Sequence, residues 1–307
     1  MLLSYGLPTH RVDRGEEFLT AGAVGELSAA AEEAGFDAVF TTEHPFPPDR
    51  WLAGGGHHAL DPLVALSFAA AATTRLRLHT NLFVAAYRNP FLAAKGIATL
   101  DVLSGGRVIL GVGVGYLEEE FEALGSPFGD RAERTDDAIV AMRQAWTGGT
   151  VERAGPGYRA TGNTMLPCPV QRPGPPVWVG GNSRRAIRRA VELGDGWAPF
   201  PAGPGVAGAT GTAALRTADD LLRSLEYAAA HASAVGRTDP LTVVFVPEGL
   251  AMTDRGGLDE ERVVASIREL AAVGVDWVTV TLPGDTRDAQ LAALDRFSAV
   301  ADAVAGD

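Results

Sequence analysis

Apolar residues recur along this chain at two distinct periods. Eight short runs, at 2–7, 36–42, 76–84, 107–113, 176–180, 196–199, 241–247 and 276–282, are rich in strand-forming residues. Several, RVILGVG and DWVTVTL among them, are close to continuously apolar. Strands buried on both faces of a parallel sheet have that character, whereas one-sided antiparallel strands alternate. Between the runs, apolar residues return at helical spacing over 16–34, 61–74, 90–103, 131–146, 183–193, 217–235, 258–273 and 287–304. Asp61-Pro62 supplies a cap and a first-turn proline, and Gly35, Gly194, Gly236 and Gly274 close four of the helices.

Eight strands, each followed by a helix, in 307 residues predict an α/β protein with a (β/α)8 barrel. A doubly wound open sheet is the competing architecture, but it needs a topological switch and usually fewer repeats. Two segments break the repeat: 148–174, a long connection with its own strand-like piece, and 201–211, rich in glycine and alanine. Long loops in compact domains usually serve function, so both are expected as insertions at the carboxyl-terminal face. No linker divides the chain, and 1–307 is expected to be one domain.

Composition narrows the partners. With 46% hydrophobic and 21% charged residues the chain has ample material for one large core, and its net charge is −12. Nucleic acids and anionic membranes select basic surfaces, so neither is an expected partner. The start, MLLSYGLPTHR, has no signal-peptide pattern, and the longest apolar run, 63–72, is far short of a membrane span. A single cysteine, Cys168, leaves no internal disulfide and no cysteine-based zinc site. A cytoplasmic enzyme is the expectation. Lys95 is the only lysine, so no phosphate-binding G-x-x-x-x-G-K-[ST] loop exists.

In a barrel the chemistry gathers at the carboxyl ends of the strands. The second run ends in Glu43-His44-Pro45, a carboxylate and an imidazole where a turn former is usual. The third carries Thr80, Asn81, Leu82 and Val84; the fourth runs into Gly113, Val114, Gly115 and Tyr116; the fifth ends in Gly180, Gly181, Asn182 and Ser183. In VWVGGNSRRAIRRA a strand stops at two glycines and a helix begins at once. Free N–H groups at such a helix start can cradle an anion, and glycine lets it approach the backbone; a plain tight turn uses the same residues. GVGVGY fails as a dinucleotide fingerprint, because Tyr116 stands where the third glycine belongs. The adjacent His57 and His58 point apart and match no metal spacing, so no metal is expected. His79 and His231 read as structural. His10, after the first strand, is assigned with Trp51 and Trp197 to the substrate pocket.

TTEHPFPP, ATLDVLSGGRVILGVGVGYLEEEFEALG, PCPVQRPGPPVWVGGNSRRAIRRA and LGDGWAPF occur in this order. In these blocks the sequence resembles the bacterial luciferase-like flavin and deazaflavin oxidoreductases over nearly its whole length. The resemblance implies a homodimer whose Glu43 and His44 lie beside an isoalloxazine-type ring. It places a bulge with a non-proline cis peptide at Asn81–Leu82, backing that ring beside Thr80 and Val84. It also implies that Gly113, Val114, Gly115 and Tyr116, with Gly180, Gly181, Asn182 and Ser183, line the cofactor's tail and phosphate. Members closest in GGRVILGVGVG and WVGGNS use coenzyme F420, which implies hydride transfer between F420 and a small organic substrate. Those enzymes usually carry Asp-His rather than Glu-His, which leaves an FMN-dependent monooxygenase, using reduced flavin and oxygen, as the alternative. A redox-inactive phosphate-binding barrel is the alternative of another class. Hydride transfer leaves a proton to be moved, and imidazole titrates nearest neutral pH. His44 is therefore expected to handle the proton, with Glu43 tuning it or the ring's polar edge. Both can face one pocket only if the chain turns at Pro45, because alternation sends neighbours to opposite sides.

Overall fold

The computed structural model describes residues 1–250 and 258–305. Along them run β1 (Leu2–Gly6), α1 (Ala21–Glu33), β2 (Ala38–Thr41), α2 (Asp49–Ala53), α3 (Pro62–Ala72), β3 (Arg77–Val84) and α4 (Pro90–Ser104). Then follow β4 (Val108–Gly113), α5 (Glu118–Ala123), α6 (Arg131–Trp146), β5 (Val151–Gly155), β6 (Tyr158–Asn163), β7 (Val177–Gly180) and α7 (Arg184–Leu193). The chain continues through β8 (Gly196–Ala198), α8 (Pro204–Thr210), α9 (Ala218–Val235), β9 (Thr242–Phe245), α10 (Glu260–Ala272), β10 (Trp277–Val280) and α11 (Arg287–Ala305). Eight parallel strands close in the order β1-β10-β9-β8-β7-β4-β3-β2, the expected barrel. Among the described residues no helix is long and apolar enough to cross a membrane.

Two layers of apolar side chains account for the closure. Ala38, Ile109, Trp178, Ala198, Val244 and Trp277, one from each of six strands, pack together inside the barrel. The larger cluster lies between strands and helices and includes Val39, Leu78, Val179, Trp197 and Val278. Successive residues such as Trp178 and Val179 thus serve opposite faces, as strand alternation requires. Burial of both faces explains why several of the strands are almost continuously apolar.

Helix ends follow local chemistry. The Asp61 and Asn89 side chains cap α3 and α4 ahead of a first-turn proline, and Gly236 closes α9 with left-handed backbone. The expected helix over 16–34 is shorter: the Thr20 hydroxyl accepts the Ala23 N–H and starts α1 at Ala21, and Val12–Glu17 forms 3-10 turns instead. The 148–174 connection contains the antiparallel hairpin β5–β6, and 201–211 contains α8.

The mouth of the barrel is shaped at β3. Its pairing with β4 slips by one residue between Thr80 and Phe83, and the Asn81–Leu82 peptide within that bulge is cis. The bulge lets Leu82 lie inward across Gly111, Gly113 and Gly180. A β-carbon at Gly113 would lie 3.3 Å from Leu82 Cδ1, and one at Gly180 would overlap it. These glycines make room for a side chain of the protein itself.

A buried carboxylate ties the next corner. Glu43, just past β2, accepts the Val84 N–H at 2.6 Å and pairs with the Arg88 guanidinium. Arg88 lies over the Phe83 ring at 4.1 Å. Burial pushes the Glu43 carboxyl above its usual range, while Arg88 and the Val84 N–H pull the other way. A carboxyl raised in the folded state costs stability as pH climbs from its unfolded value through its folded one. Arg88→Met removes the largest opposing influence and widens that window. Urea unfolding should therefore show a loss of about 3 kcal/mol at pH 7 and a smaller loss at pH 4. Equal losses at both pH values would contradict this account of Glu43.

Candidate active site

His44 stands where the chain leaves β2, and its ring is held on every side. Nδ1 lies 3.3 Å from Glu120 Oε2, and Nε2 lies 3.3 Å from the Tyr116 hydroxyl. Trp51, from α2, packs on the imidazole with ring centres 4.4 Å apart, and His57 meets it edge-on at 5.0 Å. His10 extends the cluster to His57 at 5.5 Å. Burial lowers the His57 pKa, helped by the neighbouring His44 and His58. Burial, with His57 and Arg11 nearby, takes His10 down to about 4. Both rings are therefore neutral at pH 7.

Glu120 is the centre of this arrangement. It sits in α5 with its side chain fully buried. Its carboxylate accepts hydrogen bonds from the Tyr87 hydroxyl at 2.6 Å and the Phe46 N–H at 2.9 Å, besides facing His44. Burial alone would raise its pKa; the three hydrogen bonds outweigh it and hold the carboxyl below the usual range. An ionised carboxylate only accepts, so it fixes a proton of His44 on Nδ1; in the neutral imidazole Nε2 then carries the lone pair. Gly115 permits the approach: it has φ +76°, and a β-carbon there would strike the Phe121 ring at 2.6 Å.

The carboxylate that meets His44 is thus Glu120 and not Glu43, whose oxygens face Val84 and Arg88. Other expected positions also turn inward. Thr80 is fully buried and donates to the Gly111 carbonyl at 2.9 Å. Trp197 belongs to the layer outside the barrel and donates its indole N–H to the Gly181 carbonyl, so it does not line a substrate pocket. Asn182 cannot serve as an anion donor. Its side chain bonds Phe200 and Ala213, and its N–H donates to the Thr212 hydroxyl. It pins the 200–213 segment to the end of β7. Val84 and Gly113 are buried under this surface, whereas Asn81, Leu82, Val114, Gly115, Tyr116, Gly181 and Ser183 are partly exposed around the mouth. The Ser183 hydroxyl caps α7 by accepting the Ala186 N–H.

Several polar atoms at the strand ends lack a protein partner. The hydroxyls of Thr9, Thr41 and Thr42 are buried and unbonded, as is Nε2 of His79 deeper in the barrel. A buried hydroxyl without a partner costs roughly 1–3 kcal/mol. Together with the half-exposed Leu82 surface, these groups suit a flat ring with polar edges. The first turn of α7 leaves N–H groups without internal partners, as every helix start does, next to Gly181.

A sequence model of the luciferase-like monooxygenase family matches residues 2–240. The FMNH2-dependent dimethylsulfone monooxygenase of Pseudomonas putida is 32% identical over 215 residues, 69% of this chain and 55% of that protein. A Mycobacterium tuberculosis protein with the provisional name coenzyme F420-dependent oxidoreductase is 36% identical over 194 residues, 60% of this chain and 52% of its own. The matched segments span little more than half of either relative. The crystal structure of the monooxygenase RslO1 from Streptomyces bottropensis shares the fold, with a TM-score of 0.77 at 22% identity, covering 97% of this chain and 98% of its own. The chain belongs to the luciferase-like monooxygenase family.

Proposed function

We propose that this barrel is an F420-dependent oxidoreductase acting on a small organic substrate at the mouth beside His44. The observation that carries the reading is an imidazole with a fixed tautomer at a strand end, anchored by the buried Glu120 carboxylate. A proton acceptor so held is what a hydride-transfer reaction requires besides its cofactor. When bound, the cofactor would supply the hydride chemistry. Leu82 and the bulge at Asn81 would support one face of its ring, with Thr42 and Thr9 offering hydroxyls to polar edges. The first turn of α7, at Gly181 and Ser183, would take the phosphate. Around the reacting atoms Trp51, His57 and His10 would exclude water, and His44 would receive the proton on Nε2 as Glu120 stabilises the imidazolium. The mycobacterial relative supports F420.

The Pseudomonas relative favours a second reading, an FMN-dependent monooxygenase built on the same residues. The exposed Val64 and Phe68, one turn apart on α3, support the expected homodimer, since adjoining apolar side chains on a surface suit a partner.

Fluorescence titration of the purified protein should give a lower Kd for F420 than for FMN. Quenching by FMN at low micromolar concentration, with none by F420, would replace the first reading with the second. His44→Ala should keep F420 binding within a few-fold and lower turnover by about 10²–10⁴. Unchanged turnover would reduce the Glu43-His44 pair to a strand terminus.

A further inference from the structure

His44 has no free nitrogen to offer a substrate. Nδ1 carries its proton toward Glu120, and Nε2 faces the Tyr116 hydroxyl. Trp51 and His57 cover the ring, and its side chain is only 10% exposed. In the tautomer protonated on Nδ1 the Tyr116 hydroxyl is the donor to Nε2, while its own oxygen accepts no hydrogen bond from the described residues. Tyr87, the other tyrosine of the network, is turned away and donates to Glu120. The groups therefore stand in series, Tyr116 to His44 to Glu120, with only Tyr116 ending at the partly exposed mouth.

We infer that Tyr116 is the catalytic residue that exchanges a proton with the substrate, and that His44 acts through it. This rests on the redox reading above. As the substrate's proton binds the Tyr116 oxygen, the O–H proton of Tyr116 passes to Nε2 of His44. The substrate's bond to that proton breaks and leaves its electron pair on the substrate atom. One O–H bond breaks as another forms at the Tyr116 oxygen, one N–H bond forms at His44, and no electrons change hands in the step. In the opposite direction the imidazolium reprotonates Tyr116 as Tyr116 protonates the substrate. The relay avoids a free phenolate. Burial, assisted by Glu120, raises the Tyr116 hydroxyl to about 12, so an isolated phenolate would be scarce at neutral pH. The logic is that of a hydroxyl, imidazole and carboxylate in line, in which the carboxylate fixes the tautomer and stabilises the imidazolium.

The link can be read without a cofactor. In ¹⁵N-histidine NMR of the cofactor-free protein, His44 should show a protonated Nδ1 and a hydrogen-bonded, unprotonated Nε2. Tyr116→Phe, which keeps the ring packing, should move Nε2 toward the free lone-pair position. A protonated Nε2, or a resonance indifferent to the substitution, overturns the relay. In turnover with F420, Tyr116→Phe should lower kcat by about 10²-fold or more with cofactor Kd within a few-fold; kcat close to wild type overturns it. Fluorotyrosine at position 116 keeps the hydroxyl but lowers its pKa. It should restore most activity and shift the pH–rate profile, whereas a packing role predicts an unshifted profile and counts against the relay. A wild-type protein that turns over with neither F420 nor FMN rejects the redox reading instead, and the Nε2 signal still decides whether the hydroxyl–imidazole link exists.

Discussion

The buried carboxylate of Glu120 is the interaction on which the mouth of this barrel depends. An ionised group removed from water is tolerated only where hydrogen bonds replace its hydration. Here His44, Tyr87 and the Phe46 backbone provide them. Those three donors come from the exit of β2 and from the turn after β3, so the carboxylate on α5 draws three strand ends together. The same contacts choose the tautomer of His44. Structure and chemistry share one set of hydrogen bonds, and a change at Glu120 affects both.

A second carboxylate has a quieter task. Glu43 bonds the end of β3 through Val84 and Arg88, which holds the exit of β2 in place so that the next residue turns toward Glu120. The adjacent acid and imidazole thus point in different directions, as the alternation of an extended chain favours. Leu82 completes the floor. Glycines at 111, 113 and 180 leave room for its side chain, and the bulge delivers it there.

Much of this was legible in the sequence because barrel strands carry a local signal. Runs rich in strand-forming residues marked all eight, several of them close to continuously apolar, and α6 begins and ends at the expected residues. The start of α1 was missed because Thr20, an ordinary residue in FLTAGAVGE, became a cap only once its hydroxyl met Ala23. His44 could be singled out by its place at a strand end. Glu120 could not. It is the third of three consecutive glutamates, and helix geometry alone turns the first outward and buries the third beside Phe121. Its partner His44 lies 76 residues away, and no local pattern encodes such a contact. Asn182 and Trp197 were misassigned for a related reason. Residue type marked them as ligand-like, yet their polar atoms satisfy the protein's own backbone.

Glu120→Gln tests the account most directly, because it keeps the size of the side chain and removes its charge. In the charge-relay arrangement of serine proteases, removing the matching carboxylate charge leaves the geometry but costs up to about 10⁴ in turnover. F420 titration and steady-state turnover of this variant should show nearly unchanged cofactor binding with kcat lowered by at least about 10²-fold. A Glu120→Gln protein that binds F420 and turns over at the wild-type rate would contradict the claim that this buried carboxylate prepares His44 for its chemistry.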